Sequence, residues 1–241
     1  MLNAQLIVPG DLQATLHFCA EHFITACREA IAEHGSFAVA LSGGSTPKSL
    51  YALLCQKPYS AEIEWSKIDF FWSDERSVPP SHPENNYRIA LQAGLERMPI
   101  PTHHIHRMVA ETEIEKNALL YEKTLHDVLR DRSLDLVMLG MGEDGHTASL
   151  FPNTEGLHLS GRLVIANYIP QKKSWRMTLT YECINDAQQA VFYILGASKK
   201  KMLLKVFSSN KIRFPCQQVG TPDHPALWIA DQSAAATLTL K

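Results

Sequence analysis

His146 follows Asp144 by two residues in the run Gly140-Met-Gly-Glu-Asp-Gly-His-Thr-Ala-Ser-Leu-Phe-Pro152, directly behind the apolar stretch Leu136-Val-Met-Leu139. Imidazole is the one side chain of this run that ordinarily titrates near neutrality, so it can take a proton from water. A carboxylate two residues earlier can orient the ring or stabilise its charged form. A lone histidine is often only a structural hydrogen-bonder; here the flanking glycines and the loop after an apolar strand argue for chemistry.

Two further segments carry groups suited to anions. Ser42-Gly-Gly-Ser-Thr46 stands between an apolar strand and a helix start, where glycines let the backbone approach an anion and Ser42, Ser45 and Thr46 add hydroxyls. The plainer alternative is a tight turn between strand and helix. The segment is neither a Walker loop nor a dinucleotide fingerprint, which argues against nucleotide binding. Trp72-Ser-Asp74-Glu75-Arg76 sets a guanidinium beside two carboxylates; the fork of arginine suits oxyanions and a neighbouring carboxylate could hold it, unless the group is merely a solvated ion pair. Arg176, at the start of an apparent strand, and Lys199, after Gly196 at a helix head, are expected to follow strand-to-helix turns on one sheet edge and converge on the same anion. Lys200 and Lys201 read as a solvated helix face. His103-His104-Ile105-His106 lacks the Asp, Glu or Cys spacing of a metal site, and Asp223-His224-Pro225 reads as a turn.

The elements that must position these groups are legible from periodicity. Asp11 can cap a helix with apolar residues at Leu12, Leu16, Cys19, Phe23, Cys27 and Ile31, ending at Gly35. Phe37–Leu41 and Ile68–Trp72 read as buried strands, with Thr46 as the cap and Pro47 as the first residue of the helix between them. A polar loop through Tyr87, a helix from about Arg88 to Leu95, helical spacing over Glu111 to Leu129 and a strand at Leu134–Leu139 follow. Strand-like Leu163–Tyr168, Met177–Thr180 and Ala190–Leu195 precede a basic helix over Lys199–Phe207 and a last strand at Ala226–Ala230. Alternation of this kind predicts an α/β fold, a mainly parallel sheet covered by helices on both faces.

Composition narrows the classes. With 241 residues the chain suits one domain over 1–241. A net charge of -2 without a basic stripe argues against nucleic acid as a partner. The odd, scattered Cys19, Cys27, Cys55, Cys183 and Cys216 read as reduced, mostly buried thiols. Met1–Gly10 has no Lys or Arg and no apolar run reaches bilayer length, so no signal peptide, no membrane and a cytoplasmic location are expected.

Taken together, Leu41-Ser-Gly-Gly-Ser-Thr-Pro47, Ser73-Asp-Glu-Arg-Ser-Val-Pro79, Asn86-Tyr87 and Gly140–Pro152 resemble the 6-phosphogluconolactonases. The likeness continues through Arg176-Met-Thr-Leu-Thr180, Gly196-Ala-Ser-Lys199, Pro215 and Trp228–Ala235. It implies the Rossmann-like three-layer fold shared with glucosamine-6-phosphate deaminase and ribose-5-phosphate isomerase. It also implies hydrolysis of 6-phospho-D-glucono-1,5-lactone without metal or organic cofactor, by a monomer or weak homodimer. In that reading His146 activates water with help from Asp144, and Arg76 meets the oxyanion or a sugar hydroxyl. Ser42, Gly43, Gly44, Ser45, Thr46, Arg176 and Lys199 hold the phosphate, with Asp74 in the substrate-binding set. The sister deaminases carry Glu just before the Pro, where this chain has Phe151, and usually Tyr at Arg76; Asp74 matches the proton-transferring Asp of the isomerases and does not discriminate. Asn85 replaces a usual Ser, and Lys173-Ser174-Trp175 a usual Pro-Pro pair. The competing readings are a sister isomerase or deaminase and a non-catalytic sugar-phosphate sensor.

Overall fold

The computed structural model describes residues 2–209 and 211–238. Its strands are β1 (Ala4–Ile7), β2 (Phe37–Leu41), β3 (Ile68–Trp72), β4 (Asp74–Arg76), β5 (Leu136–Leu139), β6 (Val164–Ile169), β7 (Ser174–Leu179), β8 (Gln189–Ile194) and β9 (Ala226–Ala230). Its helices are α1 (Leu12–His34), α2 (Ser45–Leu54), α3 (Asn86–Ala93), α4 (Ile114–Leu129), α5 (Tyr181–Asp186), α6 (Lys200–Ser208) and α7 (Gln232–Ala235).

Six strands form a parallel sheet in the order β1-β9-β8-β5-β2-β3. Every residue of β2 and β5 is buried, as their unbroken apolar sequences require of strands covered on both faces. Helix α1 starts where the Asp11 carboxylate accepts the Ala14 amide and stops at left-handed Gly35. Its stripe buries Cys19, Phe23 and Cys27, while Leu12 lies past the edge of the core at 46% exposure. On the sheet, Phe192 stacks on Trp228 at 3.8 Å.

The chain winds from β2 outward to β3 and then returns to place β5 on the other side of β2. The point of reversal lies between β2 and β5, and a crevice opens there at the carboxyl ends of the strands.

Several elements differ from the sequence expectation. Residues Asp74–Arg76 are a strand, not a polar loop, and with β6 and β7 they form a separate antiparallel sheet, β4-β7-β6. Helix periodicity could not separate strands of one sheet from those of another, because pairing partners lie far apart in sequence. Strand β1, a short edge strand of alternating burial, carries too few residues to show a period. Thr46 is not a cap: α2 begins two residues earlier than expected, at Ser45 instead of Pro47, with Gly44 as the cap. Helix α3 begins at Asn86 because the Asn85 side chain accepts the Arg88 amide, and α4 begins at Ile114 instead of Glu111.

Candidate active site

All eleven residues singled out for chemistry line one cavity of 790 Å³ at the crevice: Ser42 through Thr46, Asp74, Arg76, Asp144, His146, Arg176 and Lys199. They arrive from the ends of three neighbouring parallel strands, β2, β5 and β8, and from the small sheet, β4 and β7.

The loop after β5 delivers Asp144 and His146 to the cavity. The Gly142 amide donates to the His146 carbonyl at 2.9 Å and the Gly145 amide to the Gly142 carbonyl at 3.1 Å, closing a tight turn. Within it His146 Nδ1 lies 2.5 Å from Asp144 Oδ1, and the His146 amide donates to the same oxygen at 3.1 Å. Partial burial raises the Asp144 carboxyl, but the bond and charge of the imidazole outweigh it and hold the group below the usual carboxylate range. An ionised Asp144 is an acceptor only, so it favours a hydrogen on Nδ1, the arrangement in which a neutral imidazole presents Nε2 as an acceptor. The turn tolerates no side chain at Gly142, where a Cβ would stand 2.1 Å from His146 Nδ1. Phe151 stacks on the imidazole, ring centres 3.8 Å apart and planes 15° from parallel.

Behind β2, the phosphate-type loop leads straight into α2. No side chain caps that helix, so the amides of its first turn face the cavity with only the dipole's partial positive charge for company. The loop backbone is fixed from below: the Ser42 amide donates to Tyr51 Oη at 3.0 Å and the Tyr51 hydroxyl donates to the Ser42 carbonyl at 2.7 Å. A Cβ at Gly43 would sit 2.0 Å from Asn86 Oδ1, so glycine there lets the first and second loops touch.

The small sheet forms the opposite wall. Arg76 and Arg176 are directly paired across β4 and β7, which places both side chains on one face. Arg76 Nη1 donates to the Glu84 carbonyl at 2.6 Å. Among the described residues the Arg176 side chain makes no hydrogen bond, and the Nε atoms of both arginines are buried without partners. Burial lowers the Arg176 guanidinium from its usual value, an effect the Asp74 carboxylate partly offsets. Two guanidinium groups on one face with unused donors have the charge and the fork geometry that suit an oxyanion.

Lys199 Nζ donates to the Met141 carbonyl at 2.8 Å, which ties the residue after β8 to the loop of His146. Asp74 is 6% exposed; its carboxylate accepts Ser149 Oγ at 2.6 Å and Asn86 Nδ2 at 3.2 Å. It thereby couples the second loop to the third.

Two sequence expectations need correction. The carboxylate beside Arg76 does not hold its guanidinium: Glu75 points to the other face of β4 and accepts the amides of Arg76, Asn86 and Tyr87 at 2.7, 2.8 and 2.9 Å. Alternation along a strand sends neighbours to opposite sides, which follows once Asp74–Arg76 is known to be a strand. Burial pushes the Glu75 carboxyl up to about 7 against the pull of those amides. Arg176 does not follow a strand-to-helix turn but lies within β7, reaching the cavity from the antiparallel sheet. The histidine cluster serves local structure, with His106 Nε2 bonded to Asp69 Oδ1 at 2.8 Å and His104 Nδ1 to the Ile68 carbonyl at 3.2 Å.

The five cysteines are free, four of them buried. Burial pushes Cys216, the thiol behind Gly145, up to about 12, so it stays protonated and is no nucleophile. Sequence reading missed Ser149, Asn86, Lys172 and Ser174, which support or line the cavity. Ser149 and Asn86 stand inside the motifs and were within reach; Lys172 and Ser174 lie in a hairpin that carries no motif.

The sequence model of the glucosamine-6-phosphate isomerases/6-phosphogluconolactonase family matches residues 10–228. A 6-phosphogluconolactonase from Nostoc sp. is 38% identical over 239 residues, covering 95% of this chain and 96% of the relative. One from Chlamydia pneumoniae is 38% identical over 229 residues, 93% of this chain and 87% of the relative. The solved structure of 6-phosphogluconolactonase from Trypanosoma cruzi superimposes with a TM-score of 0.86 at 27% identity, covering 99% of this chain and 98% of that one. With motif, fold and cavity in agreement over nearly its whole length, the chain belongs to the glucosamine-6-phosphate isomerase/6-phosphogluconolactonase family.

Proposed function

We propose that the chain, acting as one domain over 1–241, hydrolyses 6-phospho-D-glucono-1,5-lactone to 6-phospho-D-gluconate, the second step of the oxidative pentose phosphate pathway. The observation that carries this reading is the His146–Asp144 pair at 2.5 Å, opening onto a cavity that Arg76, Arg176, Lys172 and Lys199 also line. The relatives' activity gives the substrate, and the arrangement of charge supports it.

His146 Nε2 takes a proton from a water that attacks C1 of the lactone, and Asp144 stabilises the imidazolium. The carbonyl π bond opens onto oxygen, and Arg76 receives the developing oxyanion. When the tetrahedral intermediate collapses, the bond from C1 to the ring oxygen breaks and His146 returns the proton to that oxygen. The new carboxyl ionises and releases one proton to solvent. The Ser42 to Thr46 loop, Arg176 and Lys199 hold the 6-phosphate, and remote binding of that group aligns C1 with the water. Asp74 lines the substrate side of the cavity while bracing Ser149. No step needs a metal or organic cofactor. Proton shuttling between adjacent sugar carbons would need a further carboxylate at the base, where the ring of Phe151 lies instead.

The protein acts in the cytoplasm, without nucleic acid or membrane as partner, as a monomer or weak homodimer. No helix among the described residues is long and apolar enough to cross a membrane.

The test is acid release from freshly made lactone, in EDTA and corrected for spontaneous hydrolysis, beside ammonia release from glucosamine 6-phosphate. Acid release that falls about 100-fold or more in His146→Ala, with the inhibition constant of inorganic phosphate unchanged, is the expected result. Ammonia without acid release would overturn it.

A further inference from the structure

Phe151 is 4% exposed, yet its ring is not spent on the apolar core: one face lies parallel to the His146 imidazole at 3.8 Å. The imidazole is bounded on a second side by Asp144 at Nδ1 and on a third by Gly142, whose backbone approaches so closely that a Cβ would overlap Nδ1 and Cε1. Asp144 fixes one atom of the ring and Gly142 limits its travel, but neither sets its plane. A hydrogen bond at Nδ1 leaves the ring free to rock about that bond, swinging Nε2 across the cavity.

We propose that Phe151 is a positioning residue for the hydrolysis proposed above. Its ring sets the imidazole plane so that Nε2 faces the attacking water. Its negative π face also favours the imidazolium over the neutral ring as the proton is transferred. The stabilisation is larger in the transition state than in the ground state, because the positive charge exists only after the proton has moved, and so it acts on kcat. Phe151 also lines the cavity, but it carries no hydrogen-bonding or charged group, and the groups proposed to hold the phosphate belong to the loop after β2, to β7 and to the turn after β8, so the effect on KM is small. The inference rests on the proposed lactonase reading and adds to it a role for a residue that has no proton to give.

Three proteins are compared: the parent, Phe151→Leu, which keeps the apolar volume but removes the π face, and Phe151→Tyr, which restores it. We expect kcat on the lactone to fall about tenfold in the leucine variant with KM within twofold, and to recover to within about threefold in the tyrosine variant. In the parent, NMR of the histidine ring protons should show the His146 imidazole, assigned by the loss of its signals in His146→Ala, shifted upfield by the stacked ring; His106, which stacks on Phe71 at 4.5 Å, is the internal reference that none of the variants should move. That shift should vanish in Phe151→Leu. Leucine turning over as fast as the parent, a KM effect without a kcat effect, a tyrosine variant no faster than the leucine variant, or an unshifted His146 imidazole in the parent would each overturn the role of Phe151 while leaving lactone hydrolysis standing. A parent that fails to hydrolyse the lactone removes the function itself and the positioning role with it. If Phe151→Leu does not fold, Phe151→Met, which also lacks the π face at similar volume, takes its place under the same expectations.

Discussion

Replacing Gly142 by alanine removes no reactive group but displaces His146. Gly142 is not in the left-handed region, so alanine brings no backbone strain. Its methyl carbon, however, would lie 2.1 Å from His146 Nδ1, 2.2 Å from Cε1 and 2.8 Å from Asp144 Oδ1, where ordinary contact begins at 3.4 Å. The imidazole must therefore retreat by about 1.3 Å, which exceeds the tolerance of a 2.5 Å bond to Asp144 and of the stack on Phe151. A misplacement of roughly 1 Å costs about 100-fold in rate, or about 2.7 kcal/mol at about 1.36 kcal/mol per factor of ten. The loop is partly open to solvent, so folding stability should change by less than about 1 kcal/mol, a melting shift of no more than about 4 °C. Initial rates of acid release against lactone concentration, with thermal unfolding and inhibition by inorganic phosphate measured on the same preparation, separate the three effects. The expected outcome is kcat down about 100-fold, phosphate inhibition unchanged and melting nearly unchanged. A variant turning over within twofold of the parent, at normal stability, would refute the claim that the seating of His146 against Asp144 limits the reaction.

The cationic walls make a separable pair of predictions. Arg176→Ala removes a guanidinium that bonds no protein group, so KM should rise about 10- to 100-fold with kcat nearly constant. Lys199→Ala also frees the Met141 carbonyl and loosens the His146 loop, so both KM and kcat should suffer; equal KM-only effects would contradict the tether. Glu75 predicts a pH dependence of stability. Burial raises its carboxyl to about 7 in the folded chain, from 4.5 when exposed, so the folded state holds the extra proton between those values. Its contribution is therefore most favourable at low pH and is lost as pH rises from about 4.5 to about 7, by a few kcal/mol at most at about 1.4 kcal/mol per pH unit. Melting temperatures of the parent and Glu75→Gln across pH 4.5 to 8 should diverge over that window and run parallel above it. Parallel curves throughout would mean that Glu75 titrates alike in both states.

The sequence by itself determined the strands that carry the site and the loops that end them. Phe37–Leu41 and Leu136–Leu139 are too uniformly apolar to be anything but buried parallel strands. The glycine runs after them could only be turns, so His146, Asp144 and Ser42 to Thr46 were identifiable before any fold was known. The parallel sheet followed from the alternation of helix and strand, because a crossover helix forces a parallel neighbour.

What only the tertiary structure decided were relations between segments far apart in sequence. The pairing of Arg76 with Arg176 depends on a ladder between strands 100 residues apart, and the turn away from the parallel sheet depends on Ser73 bonding Leu41 on one side and Leu179 on the other. No periodicity records such partners. The same limit hid the face that Glu75 chooses, the brace from Ser149 to Asp74 and the stack of Phe151 on His146. Local sequence fixes the backbone of a loop through turn chemistry and burial. Which side chains then meet across it is set by packing, where one residue of register or 1 Å of approach changes the partner.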